Sequence, residues 1–168
     1  MPTVPSWALA LTFWLHLLAT VTWVGSLAAS SVLILPAAKR SLGPVDQLAF
    51  IEAMQKRLEP VTWFCLSLLI VTGLFQMSVN PHYDGFLSTS TQWSLSILIK
   101  HGLVLVMIVV SAVHTWEVLP GIRRALMMKN KTSPELLVKL QQREIWLMRT
   151  NLALAILILL ATAFARAS

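Results

Sequence analysis

Four long apolar runs dominate this chain and leave few folds open to it. They cover about Trp7 to Leu35, Val61 to Val79, Leu95 to Leu119 and Ile145 to Ala165. Each is near or above the roughly 20 residues that an α-helix needs to cross a hydrocarbon core of about 30 Å. Of the 168 residues, 57% are hydrophobic and only 12% are charged. A soluble domain of that size lacks the interior to hide so much apolar surface. The same numbers exclude disorder. The runs do not alternate, which argues against an outer-membrane barrel. The expectation is an all-α integral membrane protein with a single domain over residues 1–168. It should be an antiparallel bundle of four transmembrane helices. The first run lacks a basic leader and is about twice as long as a signal's apolar region, so it reads as a span.

The net charge of +6 is concentrated in connections. The first holds Lys39, Arg40, Lys56 and Arg57, and the third holds Arg123, Arg124, Lys129, Lys131, Lys139 and Arg143. The second, residues 80–94, has no lysine or arginine. The positive-inside rule then places the first and third connections in the cytoplasm and both termini outside, in the inner (plasma) membrane, with Arg166 the one dissenter. No basic patch with interleaved aromatics suggests nucleic acid. The expected partner is the lipid bilayer, with further membrane subunits as an option.

Local signals divide the connections. Gly43-Pro44 breaks the chain, and residues 45–59 read as an amphipathic helix entering the second span, started by Pro44 or Asp46. Residues 80–85 are turn chemistry. Ser133-Pro134-Glu135 is a helix start that runs on into the fourth span. No internal repeat is visible.

Polar residues inside spans are the informative ones, because unpaired polarity in hydrocarbon is costly. In the first span His16, Thr20, Trp23, Ser26 and Ser30 share a stripe, and in the second Thr62, Cys65, Thr72 and Gln76 do, with Gly73 nearby permitting close approach. In the third, Lys100, Met107, Ser111 and His114 fall within a sector of about 60°, while His101 points about 100° away from Lys100. Lys100 is near enough to the outer boundary to snorkel. The fourth is a plain apolar helix with Asn151 and Thr162 in line, Arg149 snorkelling or pairing with Glu117, and apart from Glu117 at the inner end of the third no carboxylate falls inside a span. Hydroxyls serve helix packing well, and a lone buried cysteine is ordinarily a small hydrophobe. An imidazole deep in an apolar helix needs partners for both nitrogens, which a ligand role supplies.

By depth these donors form two levels. His16 and His101, with Met77, lie at an outer level, and Cys65 and His114, with Met148 below them, at an inner one. Histidine, cysteine and methionine suit copper or haem iron and not calcium or magnesium. Two histidines on different helices of a bundle can clamp a haem, and with a methionine they can hold Cu(I). Cys65 is the single cysteine, so a disulfide and a Cys-cluster site are excluded. No nucleophile elbow or phosphate loop is present, and an enzyme is not the expectation.

Leu15-His16-Leu17-Leu18 with Val21-Thr22-Trp23-Val24-Gly25 resembles the first helix of copper-resistance protein D domains. Ile70-Val71-Thr72-Gly73-Leu74 and Ile99-Lys100-His101-Gly102-Leu103-Val104-Leu105 are similar to that family's second and third helices. The resemblance implies a four-span inner-membrane module for copper uptake or handling. His16, Thr22-Trp23 and Lys100 also resemble HemJ-type protoporphyrinogen oxidases, which bind haem b. Arg149-Thr150-Asn151-Leu152-Ala153-Leu154-Ala155 departs from that family's Arg-x-x-Asn-Glu-x-Pro element. Three readings stand. A copper-handling protein would use His16 and His101, with Cys65 and His114 as an inner relay. A haem b electron-transfer protein would use His16 and His101 as axial ligands, with Lys100 beside the cofactor. The third is a non-catalytic subunit of a larger membrane complex.

Overall fold

The computed structural model describes residues 4–81, 83, 85, 87–128 and 133–167, with side chains through residue 165. His82, Lys129 and Lys131 and the side chain of Arg166 lie outside the described residues. Four helices make up nearly everything described: α1 Ser6–Ser41, α2 Pro44–Ser78, α3 Gln92–Met127 and α4 Pro134–Ala167. No strand occurs among the described residues. All four are long and apolar enough to cross a membrane, and large side chains such as Trp14, Val21, Phe64, Val71 and Val109 face outward, as lipid contact requires. The chain is a multi-pass membrane protein.

The helix starts follow from their residues. Gly43 is extended and Pro44 opens α2 at a position whose N–H has no acceptor anyway. Thr91 and Ser94 cap α3 reciprocally, at 3.1 and 3.0 Å. Ser133 Oγ accepts the Leu136 N–H at 3.3 Å and Pro134 opens α4. Between α2 and α3 the chain turns through Gly85, whose φ of +107° suits a residue without Cβ. The amphipathic segment and the second span are one unbroken helix, as are Ser133-Pro134 and the fourth span.

The chain folds as two hairpins, α1–α2 and α3–α4, built with the same devices in the same order. Each first helix widens into a π turn, Ala29–Ile34 in α1 and His114–Val118 in α3. There the Leu35 N–H donates to the Ser30 carbonyl and the Leu119 N–H to the His114 carbonyl, both five residues back. The cause is shared: Pro36 and Pro120 have no N–H to offer the preceding turn. Leu35 and Leu119 are both buried, and basic pairs follow at Lys39-Arg40 and Arg123-Arg124. Each second helix opens with proline, Pro44 or Pro134. Few side chains repeat; the backbone device and the burial pattern do.

Packing is closest within each hairpin. Near the basic ends the hairpins also close on each other. Leu35, Leu48 and Ile51 of the first meet Val118, Ile122, Leu147 and Met148 of the second in one core. Gln55 Nε2 donates to Glu144 Oε1 at 3.0 Å, Arg123 Nε to Glu52 Oε1 at 3.0 Å, and Gln141 Nε2 to the Pro44 carbonyl at 3.0 Å. Trp63 stacks on Trp116, centroids 5.9 Å apart. Toward the opposite ends α1 and α3 stand apart, and space opens between them.

Candidate functional site

That space is a cavity of about 550 Å³ at the interface of the two hairpins. Much of its wall is apolar, from Phe13, Leu66, Leu69, Val104 and Ile158. Its polar lining comes from all four helices: His16 and Thr20, Gln76 and Asn80, Lys100 and His101, and Thr162. Met77 also lines it and is buried. His16, His101, Lys100 and Met77 therefore share one cavity, although His101 and Lys100 diverge on the wheel; the cavity is broad enough to receive both directions.

The hydrogen-bond network assigns the tautomers of both histidines. Thr72 Oγ1 donates its only hydrogen to the Leu68 carbonyl at 2.6 Å. It can then only accept from the ring, so His16 Nδ1–H donates to Thr72 Oγ1, at 2.8 Å. The lone pair of His16 is on Nε2. His101 Nδ1 stands 2.7 Å from the Ile97 carbonyl, which can only accept. Its lone pair is also on Nε2. A histidine that donates one N–H to a hydroxyl or carbonyl and presents the other nitrogen is the arrangement metal-binding histidines adopt. Gly73 lies against the ring: a Cβ there would stand 3.5 Å from His16 Cε1, in ordinary contact. Gln76 Nε2 ties α2 to α1 at the Thr12 carbonyl, 3.3 Å away.

Below the cavity lies an apolar floor of Ala19, Trp23, Cys65, Leu66, Met107 and Ala155. Below the floor is a second, smaller chamber of about 40 Å³, lined by Trp23, Gln55, Ser111, His114, Met148 and Asn151 among others. Trp23 lines both spaces. His114 Nε2–H donates to Glu144 Oε2 at 2.7 Å, and Glu144 is 0% exposed.

Several expectations need correction. A carboxyl group does lie inside the bundle, on Glu144, one residue before the assumed start of the fourth span; α4 turns this side chain inward on to Gln55 and His114. Glu117 pairs with Arg143 at 2.8 Å, while Arg149 is exposed. The fourth helix is not plain, since Glu144, Met148, Asn151 and Thr162 all reach interior polar sites. Cys65 sits in the apolar floor, and His114 lines the smaller chamber and donates to Glu144. Among the described residues no three His, Cys, Asp or Glu side chains gather as a metal cluster. Any site here draws on methionine and amide donors as well.

The sequence matches the family profile of copper resistance protein D over residues 52–165. The chain belongs to that family. The matched segment contains His101, His114 and Glu144, while His16 precedes it. No curated protein matches, and no solved structure does.

Proposed function

We propose that this chain handles copper in the inner (plasma) membrane, with its basic ends in the cytoplasm, and that the large cavity is where the ion enters. Copper here is cargo. The observation that carries the reading is the pair of histidines on opposite hairpins, His16 and His101, which line one cavity and are each held by an Nδ1–H hydrogen bond. Met77 adds a thioether to the same cavity, and thioether and imidazole together favour Cu(I). A site at the interface of two halves of the chain is also where membrane transporters place their cargo. On this reading Cys65 serves as packing in the cavity floor.

A second reading is favoured by one observation. A cavity of about 550 Å³ is of the size that takes a whole organic ligand, roughly 300–1,000 Å³. Haem b would fit its character: two imidazoles for the iron, apolar walls for the ring and Lys100 for the carboxylates. One experiment separates the readings. Protein purified from copper-fed cells is scanned in the visible range and assayed for copper. A colourless protein with bound copper supports the first reading. A Soret band with sharp reduced bands overturns it in favour of haem, and neither metal nor haem favours the auxiliary-subunit role.

A further inference from the structure

The small chamber beneath Trp23 has a function that the large cavity does not account for. It is built from both hairpins: Trp23 and Gln55 from the first, Ser111, His114, Met148 and Asn151 from the second. Its polar groups are incompletely used. Asn151 donates Nδ2 to Ser111 Oγ at 3.2 Å, yet its Oδ1 has no hydrogen-bond partner, and neither has Trp23 Nε1. These residues are only 6% and 5% exposed. Orphaned polar atoms that deep in a membrane protein are costly, and each calls for an occupant.

We infer that this chamber is a second station for monovalent copper, with His114 and Met148 as its ligands and Asn151 Oδ1 accepting from a water beside the ion. The donor chemistry fits. His114 gives its Nε2–H to Glu144, which leaves the lone pair on Nδ1. A carboxylate behind a ligating imidazole orients the ring and raises its basicity. Gln55 Nε2 donates both to Glu144 Oε1, at 3.0 Å, and to Met148 Sδ, at 3.4 Å, so one amide ties the thioether to the carboxyl group beside the chamber. The size suits a small occupant: about 40 Å³ has room for roughly three waters, or for an ion with a water on Trp23 Nε1.

The position says what the station is for. Trp23 alone lines both spaces, and its indole face offers a passing cation a favourable surface. On the basic side the chamber is shut by the joint core of Leu35, Ile51, Val118 and Leu147. Copper would pass from the cavity around Trp23 to the chamber and leave when the hairpins part at that core. Glu144 is a positioning residue here; the ligands are His114 and Met148.

The inference rests on the chain being a copper binder, and the test keeps the two claims apart. Full-length protein in nanodiscs is titrated with Cu(I) against a chromophoric chelator. Wild type should bind two equivalents. Met148→Leu, nearly isosteric and without a donor lone pair of use, should bind one. His16→Leu should also bind one, losing the other site. Glu144→Gln keeps the side-chain size and should weaken the chamber site about 10–100-fold while leaving the cavity site unchanged. A single wild-type equivalent that His16→Leu removes and Met148→Leu spares would overturn the chamber station. A single equivalent with the reverse sensitivity would overturn the cavity reading and leave the station standing. Two equivalents retained in Met148→Leu would also refute the station.

Discussion

His16 and Thr72 stand 56 positions apart in the chain, yet His16 Nδ1–H donates to Thr72 Oγ1 over 2.8 Å. Thr72 in turn gives its hydrogen to the Leu68 carbonyl. One hydroxyl thus fixes both the orientation and the tautomer of a histidine on the neighbouring helix. Thr72→Val keeps the shape and removes the acceptor. Copper affinity of the cavity should fall about 10–100-fold, as when other residues that orient a ligand are replaced. A chelator-competition titration checks this; unchanged affinity would show that the hydroxyl does not orient a ligand.

Gly73 sets the space that the ring occupies. Alanine there places a methyl in ordinary contact with His16 Cε1, 3.5 Å away, and should be tolerated. Gly73→Leu should displace the ring and lower copper binding with the fold intact, read by circular dichroism beside the titration. Equal binding by the alanine and leucine variants would mean that close approach at Gly73 is not needed.

The His114–Glu144 pair is buried, while Arg123–Glu52 is not: side-chain exposures are 13% and 0% against 39% and 27%. Removing one partner of a buried pair typically costs about 3–5 kcal/mol, whereas an exposed pair contributes less than about 1 kcal/mol. His114→Leu should therefore destabilise the bundle strongly and Glu52→Gln hardly at all. The double variant His114→Leu with Glu144→Leu should recover much of the loss. Unfolding in mixed detergent measures this, and strictly additive losses for the two leucine substitutions would contradict the pairing.

Topology follows from charge. In a Cys65→Ala background, Ser88→Cys in the connection between α2 and α3 should react with an impermeant thiol reagent on intact cells. Reaction only after lysis would reverse the orientation argued from Lys39, Arg40, Arg123 and Arg124.

The spans, the breaks at Pro44 and Pro134 and the shared cavity of His16 and His101 could be read from residue type and helical period. Glu144 could not. Hydropathy draws the edge of the fourth span at Ile145, and Gln141, Gln142 and Arg143 before it look like headgroup residues. The helix begins at Pro134 and carries Glu144 to Gln55, a contact 89 positions away that no local pattern encodes. The two-hairpin repeat was hidden for a different reason. It is written in backbone: a Leu-Pro pair and the π turn before it, with almost no matching side chains around them. The partner of Glu117 was missed because Arg143 and Arg149 differ in both face and height on α4, and only the packing of α3 decides which one meets Glu117.

The most direct measurement is copper bound by the His16→Leu protein. Leucine preserves much of the volume and removes all polarity. A histidine that only bonds across helices contributes about 0.6 kcal/mol on average, so its loss as a packing residue would be mild. The account predicts that the folded bundle remains, that the copper equivalent of the cavity is lost, and that His82→Leu in the connection keeps it. Full copper occupancy in His16→Leu would contradict the site at its centre.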